Sequence, residues 1–163
     1  MSDTRNNGSL EFKPIDLEKH ADLCIAFTQD THRLTEGPKA VFEGAVGYIE
    51  RMREKLAADP MSCLFAWLKG EVVGQVNLGV FGPDPSIGYI NVFYVTPERR
   101  GTGIASEMER YACARLRAAG FSEARLSVAW ANKRAVRFYE KHGWSDLGER
   151  QDRPGFHNMH KVL

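Results

Sequence analysis

Cysteine is scarce and unpatterned. Cys24, Cys63 and Cys113 stand far apart with no C-x-x-C pair, which excludes a dense disulfide frame and suits a reduced, cytoplasmic setting. Long apolar runs are missing as well. No stretch approaches the roughly 18 residues of a membrane span, and the opening MSDTRNNGSL lacks the apolar core of a secretory leader. Nor does one sign of charge dominate: 22 Lys+Arg against 21 Asp+Glu leave +1. That excludes a polycation coating nucleic acid, so neither nucleic acid nor membrane is an expected partner. There is no internal repeat, no low-complexity tract and no composition break. The expectation is a flexible start over residues 1–8 and one domain over 9–163, long enough to bury a core without metals.

The charge that is present is unevenly spread. Residues 1–98 carry nine basic and fourteen acidic side chains, a net of −5, whereas residues 99–141 carry ten and four, a net of +6. A basic middle suits an anionic ligand and an acidic front a cationic one. Apolar periodicity predicts a strand at Leu10–Ile15, a helix after Asp16, a break at Thr35–Pro38 and a helix over Lys39–Ala58. Strands at Cys63–Leu68 and Val72–Phe81 form a hairpin, Gly82–Pro85 is a turn or short loop, and Ile87–Val95 is a further strand. A helix over Gly103–Ala119, a strand over Ala124–Ala129 and a helix over Asn132–His142 follow, with two weaker strands to the end. An antiparallel run followed by a βαβ unit makes the class mixed α/β (α+β).

Two segments carry chemistry. In Val95-Thr-Pro-Glu-Arg-Arg-Gly-Thr-Gly-Ile-Ala105 a strand ends and glycines open a helix. Gly101 and Gly103 allow close backbone approach. The unpaired N–H groups at the helix start suit phosphate, and Arg99 and Arg100 add charge. Neither the third glycine of G-x-G-x-x-G nor the G-K-[ST] of a nucleotide loop is there. In the second segment, residues 131–144, Asn132 is a helix cap, and Asn132, Ala135, Val136 and Tyr139 share one face. By itself that face makes Tyr139 a half-buried core aromatic.

Together, in this order and spacing, the two segments resemble the GNAT superfamily of acyl-CoA-dependent N-acetyltransferases. Arg100-Gly-Thr-Gly103-Ile-Ala105 matches its [QR]-x-x-G-x-[GA] signature. Asn132, Ala135, Phe138-Tyr139-Glu140-Lys141 and Gly143-Trp144 match its N-x-x-A-x-x-F-Y-x-K-x-G-[FW] signature, and the likeness runs from about Gly88 to Trp144. The resemblance implies a mostly antiparallel sheet splayed between strands four and five, helices on both faces, and acetyl-CoA held in the splay. Phe93, Tyr94 and Val95 would bond the pantetheine arm. Backbone amides of Arg100, Gly101, Thr102, Gly103, Ile104, Ala105 and Ser106 would hold the pyrophosphate, Asn132 would contact the pantetheine, and Tyr139 would lie beside the sulfur. Homodimers are common in that family, so a second copy of the chain is a candidate partner.

The implied chemistry is acetyl transfer to a primary amine by direct attack in a ternary complex, with Tyr139 as general acid. A phenol with pKa ~10 can protonate a leaving thiolate whose thiol lies near ~8.5. The base is where the chain departs from the family. Many members place a Glu on strand four or five, but here those positions hold Tyr89, Asn91 and Ser127. Glu36, Asp30, His32 or a water chain are the alternatives, and the residues alone do not choose among them. The acceptor is a small molecule or a protein amine, and the acidic front half points to a cationic one. A non-catalytic acyl-CoA sensor is the other reading. His157-x-x-His160 looks like a metal pair, but strand residues three apart face opposite sides, so no metal is expected. Cys113 reads as packing, and Trp130 is a candidate for the acceptor cleft.

Overall fold

The computed structural model describes residues 8–163, so all of the expected flexible start except Gly8 lies outside the described residues. Strand β1 (Glu11–Pro14) pairs on one side only, an edge that tolerates the missing N–H of Pro14. Asp16 accepts the Glu18 N–H at 3.0 Å and opens α1 (Leu17–Glu36). The next helix, α2, spans Ala45–Ala58 and so starts six residues later than expected. The reason is a competing set of bonds from α1. Gln29 donates to the Ala40 carbonyl (2.6 Å) and accepts the Phe42 N–H (2.7 Å), holding residues 39–44 in a non-helical path.

Strands β2 (Cys63–Leu68) and β3 (Glu71–Phe81) turn on Lys69-Gly70, both with positive φ (50° and 80°), as a two-residue hairpin requires. Strand β4 (Asp84–Val95) begins within the expected Gly82–Pro85 loop, leaving Gly82-Pro83 as the turn. Helix α3 (Ile104–Ala118), β5 (Glu123–Ala129), α4 (Lys133–Lys141), β6 (Ser145–Glu149) and β7 (Phe156–Val162) complete the chain. They form one seven-stranded sheet of order β1-β2-β3-β4-β5-β7-β6, in which only β4 and β5 are parallel. This is a single mostly antiparallel α/β domain.

Strand alternation distributes the core over both faces. Leu64, Ala66 and Leu68 join Ile104, Met108, Ala112 and Leu116 of α3 on one face. Cys63 and Phe65 pack with Cys24 and Phe27 of α1 and Met52 of α2 on the other. Each fully buried Leu or Phe among them contributes about 1.5–3 kcal/mol of transfer free energy.

The feature that positions the site is a split in the sheet. Strands β4 and β5 pair only at Gly88–Ala124, Tyr89–Arg125 and Ile90–Leu126. Asn91 is then the extra residue of a bulge, because Leu78 opposes Ile90 while Asn77 opposes Val92. A bulge bends its strand. Past it β4 stays with β3, while β5 follows β7 over its whole length, and the two central strands part.

Candidate active site

Two cavities open at the split. The first, about 480 Å³, runs from Phe93, Tyr94 and Val95 of β4 to the glycine loop and α4. Gly101 and Gly103 hold positive φ (77° and 92°), and no side chain caps the first turn of α3, so its N–H groups face the cavity uncapped. Of the expected contact residues, Phe93, Tyr94, Val95, Arg100, Gly101, Gly103, Ala105, Ser106, Asn132 and Tyr139 all line it. Thr102 and Ile104 do not. The Thr102 hydroxyl donates to the Arg99 carbonyl, and the Ile104 side chain is wholly buried in the core beneath α3, leaving only its backbone to the loop.

The two arginines expected to add charge are both engaged. Arg99 pairs with Glu71 at 3.5 Å. Arg100 donates from Nε to the Val95 carbonyl (3.0 Å) and from its terminal nitrogen to Asp30 (2.8 Å), which also accepts the Tyr94 hydroxyl (2.5 Å). Burial pushes the Asp30 carboxyl up, but these hydrogen bonds outweigh it and hold the group below its ordinary value. The trio ties α1 to the end of β4. The cations that face the first cavity without an ion pair among the described residues are Arg134 and Lys141, which sequence reasoning did not single out. Their signal was there: seven apart, they share one face of α4.

On the same helix Asn132 Oδ1 accepts the Ala135 N–H (3.2 Å), which leaves its two amide hydrogens for the cavity. His142 donates from Nδ1 to the Phe138 carbonyl (2.8 Å). In the neutral ring, Nε2 is then the acceptor for the Ser106 hydroxyl (2.9 Å), joining the end of α4 to the first turn of α3.

The second cavity, about 250 Å³, lies across the split. Its wall is Thr28, Thr31, His32 and Thr35 of α1, Tyr48 of α2, Ile90–Phe93 of β4, Leu126 and Ser127 of β5, with Tyr139, Arg153 and Phe156. Thr31, Phe93 and Tyr139 belong to both cavities. Tyr139 is 8% exposed and sits edge-on to Phe93 and Trp144, each at 6.0 Å between ring centres. Its hydroxyl makes no hydrogen bond among the described residues. Burial first, and the Glu109 charge second, hold the phenol well above its ordinary value, so it carries its proton throughout the neutral range. Glu109, 1% exposed, accepts from Lys161 (2.6 Å), Trp144 Nε1 (3.1 Å) and Cys113 (3.2 Å), which fixes the indole behind the Tyr139 ring.

Residues 26–144 match the family model for the acetyltransferase (GNAT) family. The chain belongs to the GNAT acetyltransferase family. A curated relative, mycothiol acetyltransferase of Thermobispora bispora, is 34% identical over 101 residues, which are 60% of this chain and 34% of that protein. The chain therefore spans about a third of that relative's length. Among solved structures, the fold is similar to PaiA N-acetyltransferase of Thermoplasma acidophilum in complex with coenzyme A. That match has a TM-score of 0.72 and 19% identity, covering 95% of this chain and 99% of that one. An acetyltransferase from Thermus thermophilus matches at a TM-score of 0.74 and 19% identity, covering 95% and 97%. At such identities the likeness speaks for the fold.

In this GNAT chain the groups weighed as a base sit in different surroundings. Asp30 is engaged by Arg100 and Tyr94. Glu36 is absent from the wall of the second cavity and lies 3.8 Å from His32, which is part of that wall. Asn91 accepts from Lys55 at 2.9 Å. Trp130, a candidate for an acceptor cleft, lines neither cavity and stacks on His157 at 3.9 Å. His157 bonds Asp146 and His160 bonds Glu123, and no group able to hold a metal occurs among the described residues. All three cysteines are buried, and burial pushes the Cys24 and Cys113 thiols up to about 12, which fits packing rather than nucleophilic roles. No helix among the described residues is long and apolar enough to cross a membrane.

Proposed function

We propose that the chain transfers an acetyl group from acetyl-CoA to a primary amine by direct attack in a ternary complex. The observation that carries this is the shared wall: two cavities meet at Thr31, Phe93 and Tyr139. A donor in one and an acceptor in the other would touch only there. The first cavity suits the donor. It joins the uncapped α3 amides and two cations with no ion pair among the described residues, for phosphate, to a stretch of β4 past Ile90 that no strand on the β5 side pairs, for an amide-bearing arm.

In this reading the amine nitrogen attacks the thioester carbonyl, the C–S bond breaks, and the departing sulfur takes the Tyr139 proton. His32 takes the proton that the amine must lose. Imidazole is the one side chain in the second cavity's wall suited to accepting a proton in neutral solution. The products are an N-acetylated amine and free CoA thiol.

Thiol release from acetyl-CoA against a panel of primary amines, small molecules together with peptides bearing a free N-terminus or a lysine, tests the proposal. Amine-dependent thiol with matching N-acetyl product by mass is expected. Acetyl-CoA that raises the melting temperature while no amine releases thiol would refute it.

A further inference from the structure

The described acids of the front half, whose net charge is −5, do not line the cavity proposed for the acceptor. Among the described residues the wall of the second cavity holds no Asp or Glu, and its one permanent charge is Arg153. Arg153 comes from the connection between β6 and β7, where Arg150 and Asp152 are its charged neighbours. Arg150 is fully engaged. Its Nε and one terminal nitrogen reach the two Asp152 oxygens (3.0 and 2.7 Å), and the other terminal nitrogen reaches the Ser127 hydroxyl (3.2 Å). Hydrogen bonding from Arg150 holds the Asp152 carboxyl below its ordinary value, so that pair is charge-neutral.

Arg153 has no such partner among the described residues. Its guanidinium carbon lies 3.6 Å from the centre of the Phe156 ring, itself part of the wall. Stacking occupies the flat face of the group and leaves its rim of N–H donors with no ion pair among the described residues. That rim is a planar fork matched to a carboxylate or phosphate. A polyamine would instead set a second ammonium beside Arg153 with no acid to offset it.

We infer that the acceptor is a small amine that also carries an oxyanion, with an amino acid carboxylate as the leading form, and that Arg153 binds this group. The inference rests on the acetyl-transfer reading for the amine end. The modest cavity, about 250 Å³, fits an acceptor of that size.

The test compares amines differing only in that group: glycine against glycinamide, phenylalanine against phenylalaninamide, with 2-aminoethyl phosphate for the phosphate case and spermidine for a polycation. Thiol release is followed for the wild type, Arg153→Gln and Arg153→Lys. We expect kcat/KM for the oxyanion-bearing amines to exceed their neutral partners by roughly ten-fold or more, the worth of one hydrogen-bonded charge pair. Arg153→Gln should raise KM for the acids by a similar factor and bring the acid-to-amide preference towards one, with acetyl-CoA KM unmoved, and Arg153→Lys should recover part of the loss. Preference for amides or spermidine, or an acid preference that survives Arg153→Gln, overturns the inference. If no amine is turned over, acetyl transfer to small amines fails, and calorimetric titration of the same acids into CoA-saturated protein decides the binding claim. Binding that Arg153→Gln removes supports it; absent or indifferent binding overturns it.

Discussion

Replacing Tyr139 by Phe removes one oxygen from a ring whose packing accounts for everything else it does. The ring keeps its contacts with Phe93, Phe138 and Trp144, at 6.0, 5.4 and 6.0 Å between centres. The hydroxyl has no hydrogen-bond partner among the described residues, so no donor or acceptor is orphaned by its loss. The change in stability should stay within about 1 kcal/mol, a few degrees in melting temperature. The catalytic effect is of another order. Loss of a general acid typically costs roughly 10²–10⁴ in rate, or about 2.7–5.4 kcal/mol of barrier. Steady-state thiol release should therefore show kcat down by at least two decades, with the KM for acetyl-CoA within about two-fold. The pH profile sharpens the test. Burial and then the Glu109 charge raise the phenol above its ordinary value, so it is protonated at every pH below ~10. The deficit should thus be the same at pH 6 and pH 9. Refutation would be an unchanged kcat, a KM rising in step with the loss, or a deficit confined to alkaline solution.

Three further outcomes follow from the same geometry. Gly103→Glu places a side chain and a negative charge at φ +92°, in open space but in a backbone conformation that strains any L side chain by about 1–3 kcal/mol, so the chain should fold with reduced stability while CoA binding is lost. A thermal shift checks it, because CoA at 100 times its Kd should add about 2.7 kcal/mol to the wild type and nothing to the variant. His32→Gln should lower kcat/KM by roughly 10²–10⁴ at neutral pH and recover as pH rises, since more of the amine is then already free. Glu109→Ala removes one side of a buried ion pair and should cost about 3–5 kcal/mol in urea unfolding. Burial raises that carboxyl, but hydrogen bonds from Lys161, Cys113 and Trp144 outweigh it and set the group below its ordinary 4.5. Its contribution to stability is therefore complete above pH ~4.5 and fades as the pH falls through the lower folded value, a limb that Glu109→Gln should flatten.

What could be read in advance divides along the split in the sheet. Most of the wall of the first cavity, proposed for the donor, comes from two contiguous segments, 93–106 and 131–144, with glycines at positive φ in one and a capping Asn132 with its helical spacing in the other; Thr31 and Leu34 of α1 complete it. Local rules reach that far. Strand β2 is equally local: its alternating faces lie between the Pro60 stop and the Lys69-Gly70 turn, and its limits agree with expectation. The failures are bonds between distant positions. Residues 39–44 keep out of α2 because Gln29, on another helix, satisfies their backbone. Arg100 looks like a free cation until α1 brings Asp30 to it from 70 positions away.

The second cavity, proposed for the acceptor, is non-local throughout. Its wall collects residues from 28–35, 48, 90–93, 126–127, 139, 153 and 156, and no spacing rule links them. Overall charge does not map onto this wall either: fourteen acids in the first 98 residues suggest a cationic acceptor, yet none of the described ones lines this cavity. Every acceptor must meet the donor at the same thioester, so the parts that hold the donor are compact and recur as motifs. The parts that choose an acceptor need only converge in space, and the wall of the second cavity carries one guanidinium, that of Arg153.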